Sequence, residues 1–324
     1  RVPDEYYDAL CGWFRRKHQW SIDRRMVIYT SGVVPAVSAI IKALVRPGHG
    51  VMVQTPAYNC FFSSIRNNGC TVVENPLRRV ECKGGFSYEI DFDDLEAKAA
   101  RPENTLMILC NPHNPTGRVW TRAELSRVAD ICHRHGVTVV SDEIHCELTM
   151  PGYEYVPYAT VDAGAVVCCS PSKAFNIAGL QIANIVAPDE GIRARIDRAI
   201  NINEVCDVNP FGVEALMAAY DSGEDWLVAL KAYLHGNWEC LCRFFDENLP
   251  HLPVCRLQST YLAWIDVRQL GIPSDQLEEK LLGQAHVWVN SGVMYGQEGY
   301  IRINFACPRQ RLMEGLQRIA PLLK

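Results

Sequence analysis

Four places in the sequence put reactive side chains directly after a short apolar run. "VTVVSDEIH" (137–145) delivers Asp142. "TLMILCNPHNPTG" (105–117) runs into a turn of asparagines and prolines that carries Asn114. "AVVCCSPSK" (165–173) ends on Ser170, Ser172 and Lys173. "MVIYTSGVVPA" (26–36) passes through Ser31-Gly32 into a helical pattern with Val33 and Val34 in its first turn. Taken singly, each has an ordinary structural reading. An aspartate after a strand caps helices, Asn, Pro and Gly make turns, a loop lysine is usually solvated, and Ser-Gly commonly opens a helix. Taken together, they offer complementary groups for one ligand. Free amides at a helix N-terminus entered through glycine, joined by hydroxyls, bind phosphate. A lysine amine condenses with an aldehyde. A carboxylate keeps a pyridine nitrogen protonated, which turns the ring into an electron sink. Asn114 can donate to a ring oxygen, and Tyr58, in "TPAYNCF" after a further strand-like run, offers a flat partner for the ring.

These are the groups that pyridoxal 5'-phosphate needs, and their placement depends on the elements that carry them. Strand candidates are 26–30, 51–55, 70–75, 105–110, 137–142, 165–170 and 182–187, with helical segments such as 34–45, 58–68 and 121–135 between several of them. The last opens with "TRAE", a capping box in which Thr121 serves the amide of Glu124. Short runs that are apolar on both faces, separated by helices, predict an α/β fold with a mostly parallel sheet covered on both sides. Ligands in such sheets collect beyond the carboxyl ends of the strands. Beyond about Asn209 the texture changes. Helical segments at 210–220 and about 224–247 are followed by "VCRL", "YLAWID", a helix near 274–283, "HVWVN", "YIRINF" and a final helix at 309–323. The reading is a large domain over 1–235 and a smaller C-terminal α+β domain over 236–324, hinged within the long helix near 235.

The chain has 324 residues, 48% hydrophobic and 21% charged, enough for a large core and two domains. With 32 basic and 37 acidic residues the net charge is −5, and no basic stripe marks a nucleic-acid partner. No apolar run reaches membrane-spanning length; "VVPAVSAIIKALV" carries Lys42. The 14 cysteines lack the spacing of a disulfide framework and point to a reducing, cytoplasmic compartment. "CHRH" (132–135) matches no zinc spacing and ends an amphipathic helix, so no metal is expected. No signal peptide is visible, and Arg1 opens inside a helical pattern, which implies that something upstream is absent.

The combination "SGVVPA", "QTPAYNCFF", "NNG", "NPHNPTGRVWT", "SDEIH", "SPSKAFNIAGLQ" and "RINFACPR" resembles the fold-type I pyridoxal-phosphate enzymes of the aminotransferase class I/II superfamily. Within it the pattern is most similar to the MalY/PatB-type carbon–sulfur β-lyases, which include cystathionine β-lyases. The resemblance covers nearly the whole chain. It implies that Lys173 binds the cofactor covalently, that Asp142 pairs with the pyridinium nitrogen, and that Asn114 bonds the ring oxygen. It further implies that Tyr58 stacks on the ring and that Ser170, Ser172 and the amides of Val33 and Val34 hold the phosphate. Arg302 in "YIRINF" would clamp the substrate carboxylate, a task suited to guanidinium geometry.

Typical aminotransferases of the superfamily carry an arginine eight residues after the lysine, where this chain has Gln181. They also carry a tyrosine three residues after the aspartate, where it has His145, placed beside the cofactor. Both departures resemble the lyase branch, and with it elimination of a thiol from a sulfur amino acid to leave pyruvate and ammonia. An aminotransferase is the alternative, since the same residues serve either outcome; a regulatory binding protein that keeps its cofactor is a third reading. A homodimer with both active sites at the interface follows from the resemblance. So does a segment of several dozen residues ahead of Arg1, which in such lyases reaches the partner's active site. "YLAW" (261–264) and "SGVMYG" (291–296) are expected on the substrate side.

Overall fold

The computed structural model describes residues 2–205 and 207–324. Helix α1 (Asp4–His18) leads into β1 (Val27–Thr30), α2 (Val33–Leu44), β2 (Gly50–Thr55), α3 (Asn59–Asn67) and β3 (Thr71–Pro76). A hairpin of β4 (Arg78–Cys82) and β5 (Gly85–Glu89) follows, then α4 (Phe92–Ala99), β6 (Asn104–Cys110), α5 (Arg122–Arg134), β7 (Thr138–Asp142), β8 (Val166–Cys169), β9 (Ala183–Val186) and α6 (Glu190–Asn201). The remainder comprises α7 (Pro210–Ser222), α8 (Glu224–Asn248), β10 (Leu262–Asp266), α9 (Ser274–Lys280), β11 (Asn290–Ser291), β12 (Tyr300–Asn304) and α10 (Arg309–Ile319).

Seven strands form one sheet in the order β1-β9-β8-β7-β6-β2-β3, and β9 runs against both of its neighbours while the others are parallel. This is the mostly parallel, helix-flanked α/β sheet expected from the sequence. Every residue of β2, β8 and β9 is buried, as strands covered on both faces must be. On one side, α2 presents Val33, Ala36, Val37, Ile40 and Ile41, a stripe at helical spacing packed with Val166, Cys168, Ala183 and Ile185. Full burial of each large aliphatic side chain stabilises the fold by about 1.5–3 kcal/mol. On the other side, α5 buries Leu125, Val128, Ala129, Ile131 and Cys132 against Met107, Leu109 and Val139. The capping box of Thr121 and Glu124 is formed, which fixes where α5 begins and so where the preceding turn ends.

This topology places chemistry at one edge. The chain crosses from β3 to β6 on the far side of β2, so the carboxyl ends of β2 and β6 flank a crevice. Cys110, Asp142 and Cys168 are register partners, which aligns the ends of β6, β7 and β8. β1 runs in the same direction and hands its chain to α2 at that edge.

The second sheet is small and antiparallel, in the order β10-β12-β11. Its buried residues join α8, α9 and α10 in a core that also includes α1 and α7. The expected boundary at 235/236 falls inside α8, which continues unbroken from Glu224 to Asn248. Three local expectations differ. The β4–β5 hairpin replaces what had no assignment. "VCRL" contributes only single bridging pairs, Phe86 with Cys255 and Val254 with Ile265. In "HVWVN" only Asn290 pairs with β12, because the helix preceding it ends in a wide turn over 281–285 and His286 takes a left-handed φ of 54°. Among the described residues, no helix is long and apolar enough to cross a membrane.

Candidate active site

Five strand ends and the small sheet enclose a cavity of about 310 Å³. The floor at one end is the first turn of α2, where Gly32, Val33, Val34 and Pro35 line the space. No side chain caps this helix, and the first intrahelical bond there runs from the Ala36 amide to the Gly32 carbonyl. The amides of Val33 and Val34 are therefore open to an anion, with the helix dipole behind them. Ser172 lines the same region, half-buried. Ser170 does not line the cavity. Its buried hydroxyl donates to the Ile182 carbonyl at 2.6 Å and accepts the Ser172 amide at 3.1 Å, which holds the loop that carries Ser172 and Lys173.

Asp142 lines the middle of the cavity from the end of β7. One carboxylate oxygen accepts the Ile144 amide at 3.1 Å. Burial pushes its carboxyl up to about 6, although that amide and the nearby Lys173 draw it down. The carboxylate thus lies in a dry place that lacks a full positive partner. Lys173 enters from the loop after β8, half-buried, and its amine has no hydrogen-bond or ion-pair partner among the described residues. Tyr58 stands at the N-terminus of α3, its ring edge-on to Phe61 with centroids 5.7 Å apart, and burial raises its hydroxyl pKa. His145 is buried in the same wall. Burial, with Lys173 and Arg302 nearby, holds its imidazole down to about 3, so it is neutral, and its Nδ1 has no partner.

The opposite wall comes from the small sheet. Strand alternation sends Ile301 and Ile303 into the core and leaves Arg302 and Asn304 facing the cavity. Arg302 donates from Nη1 to Asn114 Oδ1 at 3.1 Å and from Nη2 to Asn290 Oδ1 at 2.8 Å, while the Tyr295 ring lies 4.8 Å away. Its Nε is buried without a partner, and no acid pairs with it among the described residues. Desolvation lowers its pKa, though a guanidinium remains charged. A half-buried cation held by two neutral amides is set up to take a carboxylate. With Oδ1 of Asn114 committed to Arg302, the Asn114 amide nitrogen remains available to a ligand.

The sequence motifs singled out Lys173, Asp142, Asn114, Tyr58, Val33, Val34, Ser172, His145 and Arg302, and the structure brings all of these to one cavity. Gln181 lies elsewhere: it is exposed, with φ 53°, at the end of a short turn. From "YLAW", Tyr261 and Leu262 line the cavity; from "SGVMYG", Tyr295 supports Arg302 from behind. Cys110, Asn290 and Asn304 escaped the sequence reading. The period of two along "YIRIN" was the available signal for Asn304, two residues from Arg302. Nothing local marked Asn290, which reaches Arg302 from the neighbouring strand β11.

Comparison with known proteins agrees over the full length. The family described as aminotransferase class I and II matches residues 1–319. Cystathionine beta-lyase PatB of Bacillus subtilis is 38% identical over 329 residues, spanning 99% of this chain and 84% of that protein. Protein MalY of Escherichia coli is 37% identical over 317 residues, spanning 97% and 80%. Among solved structures, cystalysin from Treponema denticola, which contains a pyridoxal 5'-phosphate cofactor, superposes with a TM-score of 0.95 at 33% identity and covers 100% of this chain and 82% of its own. The pyridoxal-phosphate-bound C-S lyase from Staphylococcus hominis gives 0.91 at 32% identity, with 100% and 84% covered.

Proposed function

The chain belongs to the aminotransferase class I and II family, and from that premise we propose that it catalyses pyridoxal-phosphate-dependent β-elimination. The substrates are sulfur amino acids such as L-cystathionine, and the products are a thiol, pyruvate and ammonia. The observation that carries the reading is Arg302, a half-buried guanidinium without an acidic partner among the described residues, facing the cavity that holds Lys173 and Asp142. Similarity to PatB and to the C-S lyase of Staphylococcus hominis favours elimination over amino transfer.

The residues present fit the cofactor. The uncapped first turn of α2 and Ser172 suit its phosphate. Asp142, buried with one amide and no full cationic partner, suits a protonated ring nitrogen. The free amide nitrogen of Asn114 suits the ring oxygen, and Tyr58 suits the ring face. Ser170 supports this wall by holding the loop rather than by reaching into the cavity, and His145 contributes a neutral ring beside Lys173.

When bound, pyridoxal phosphate supplies a conjugated cationic ring that takes up the electron pair left at Cα as its proton departs. The protein does the rest. Arg302 binds and orients the substrate carboxylate through charge-assisted hydrogen bonds. Asp142 would stand against the ring nitrogen, where its carboxylate would keep the ring protonated. Lys173 would hold the cofactor in the resting enzyme, and its free amine is placed to take the Cα proton of the substrate as general base. The Cα–H and Cβ–S bonds break and a Cα–Cβ double bond forms. Sulfur leaves with the electron pair of its bond and is protonated, and water converts the released enamine to pyruvate and ammonia.

We read residues 1–235 as the cofactor-binding domain and 236–324 as the substrate-facing one, with the hinge inside α8. The setting we propose is a cytoplasmic homodimer. None of the described cysteines is in a disulfide, which suits a reducing compartment. Ile202, Val205 and Phe211 expose apolar surface around the α6–α7 connection, which suits a covered face. Incubation of the pyridoxal-phosphate-loaded protein with L-cystathionine is expected to give pyruvate and free thiol in equal amounts. Transfer of the amino group to a second ketoacid, with no thiol released, would overturn the reading in favour of an aminotransferase.

A further inference from the structure

Six non-glycine residues among those described hold a positive φ, and five of them are polar and exposed. The sixth is Thr260, with φ 77°, β-branched and fully buried. A β-branched side chain crowds its own backbone in that region, so the conformation persists only where the surroundings over-determine it. Here the surroundings are explicit. Residues 257–260 form a strap docked on the loops that follow β6 and β7. The Gly117 carbonyl accepts the amides of Gln258 and Ser259 at 3.0 and 2.9 Å, and the Leu148 carbonyl accepts the Thr260 amide at 2.9 Å and Ser259 Oγ at 3.0 Å. Gln258 adds two bonds, its carbonyl to the Met150 amide and its Oε1 to the Val119 amide, both at 2.8 Å. The strap lies so close that a Cβ on Gly117 would stand 2.5 Å from Leu257 Cδ1.

Both docking points belong to the cofactor side of the cavity. Gly117 ends the turn that carries Asn114, and Leu148 follows His145 by three residues. Beyond Thr260 the chain joins the other sheet. The Tyr261 carbonyl accepts the Phe305 amide at 3.1 Å, and Leu262–Asp266 pairs with β12, Trp264 opposite Arg302. Thr260 is therefore the joint between the turn that presents Asn114 and the sheet that aims Arg302. Its own side chain braces that joint, since Oγ1 accepts the Leu262 amide at 3.2 Å. Glycine would take the same φ without strain and would leave the joint loose. Resting on the reading of Arg302 as the carboxylate clamp, we propose that Thr260 is a positioning residue: its braced left-handed turn sets how far Arg302 stands from the cofactor wall. The tolerance is narrow, because Arg302 already spans the gap to Asn114 at 3.1 Å and must also meet the substrate carboxylate. A displacement of about 1 Å, even one caused far from the chemistry, can cost about 10²-fold.

The test uses the cofactor-loaded full chain and three substitutions. Thr260→Val keeps the branch and loses the hydroxyl, Thr260→Gly loses both, and Thr260→Ser keeps the hydroxyl alone. L-Alanine has no leaving group, so its Kd, read from the absorbance of the bound cofactor, reports on substrate binding without elimination. Turnover of β-chloro-L-alanine supplies kcat and KM. Thr260→Val and Thr260→Gly are expected to raise the L-alanine Kd and the KM by about tenfold, with kcat within about twofold. Their cofactor absorbance without amino acid should match wild type, and Thr260→Ser should bind L-alanine as wild type does. Wild type that binds L-alanine but leaves β-chloro-L-alanine intact would sink the elimination reading and spare this inference. An unchanged Kd in folded Thr260→Val and Thr260→Gly overturns the positioning role, as does a Thr260→Ser variant as impaired as Thr260→Val. Hydrogen exchange in the unsubstituted protein checks the brace without any variant: the Leu262 amide should be protected, and exchange as fast as in an open chain overturns the proposal.

Discussion

Asp142 and Glu143 are neighbours in sequence, both buried, and the protein treats them in opposite ways. Asp142 faces the cavity with a single backbone donor, the Ile144 amide. Glu143 turns away into a polar cluster behind the cavity. There its Oε1 accepts Ser141 Oγ at 2.9 Å, the Tyr158 amide at 2.9 Å and Asn111 Nδ2 at 3.2 Å, while Oε2 accepts the Tyr155 hydroxyl. The same contrast separates two arginines. Arg268 grips both oxygens of Asp266, at 3.0 and 2.6 Å, whereas Arg302 has only two neutral amides. The fold satisfies its buried charges wherever no ligand is needed, since leaving one unpaired costs several kcal/mol. Where charges are left short of partners, as at Asp142, Lys173 and Arg302, the deficit marks what the ligand must bring: a cation for one, an aldehyde carbon for another, an anion for the third.

The comparison can be broken most directly at Lys173. Lys173→Ala is expected to lower turnover by roughly 10⁴-fold or more, the upper end of what one general base supplies, with the protein still folded because the amine makes no hydrogen bond or ion pair among the described residues. It should also remove the absorbance of the covalently held cofactor. Retained turnover would show that the unpartnered amine is incidental. Arg302→Ala comes next. Loss of a charge-assisted carboxylate clamp is expected to cost roughly 10²–10³-fold in kcat/KM, mostly through KM, while cofactor binding persists. A variant that loses the cofactor but binds substrate normally would reverse the two walls.

Those two walls were not equally legible in the sequence. Asp142, Lys173, Tyr58 and Asn114 each follow closely on a buried strand with a parallel neighbour, and the first turn of α2 follows the edge strand β1, so the motif and the element that aims it are adjacent in the chain. The strand order then gathers them at one edge, a consequence of parallel topology that any α/β reading anticipates. The substrate wall is different. Arg302 was visible through "YIRINF", but its holder Asn290 sits across a two-residue pairing whose strand the apolar run "HVWVN" misplaced. Ser170 shows the opposite failure. Its motif position suggested a ligand contact, whereas a hydrogen bond to Ile182, on a segment twelve residues away, turns it into a loop anchor. Side-chain partners from a different segment decide such cases, and local sequence carries no trace of them.

A smaller effect sharpens the contrast through pH. Burial holds Asp142 up to about 6 and Glu143 up to about 7, both above the ordinary carboxyl range. In the cofactor-free protein these groups bind protons more tightly folded than unfolded. The stability they contribute is complete below the ordinary carboxyl pKa and is lost as pH rises through 6 and 7. For Asp142 the rise from 3.8 to about 6 corresponds to about 3 kcal/mol. A cationic ring beside Asp142 would lower its pKa and remove that share, while leaving Glu143, on the far side, unchanged. The Tm of the cofactor-free protein should therefore fall between pH 5 and 7.5 more steeply than that of the loaded protein. Parallel profiles would mean that Asp142 gains no positive partner on loading.

Glu143→Gln gives the smallest effect and the cleanest separation of the two regions. The amide oxygen of a glutamine can still accept Ser141, Asn111 and the Tyr158 amide, so three of the donors keep a partner. The Tyr155 hydroxyl can rotate to accept from the new amide nitrogen instead of donating. What the variant lacks is the buried charge that Glu143 takes on above pH 7, where burial outweighs the hydrogen bonds to the carboxylate and ionisation costs the folded protein stability. Below pH 6, where Glu143 is protonated in the folded protein, both side chains are neutral and the difference should shrink. Chemical denaturation of wild type and variant at pH 5.5 and 8 measures both values. The variant should be nearly equal to wild type at pH 5.5, more stable than it at pH 8, and close to it in cofactor affinity, since no ligand reaches this cluster. A stability loss independent of pH would show that shape rather than charge holds the cluster. A large loss of cofactor affinity would show that it does not stand behind the cavity as a separate region but carries the position of Asp142 through the strand they share.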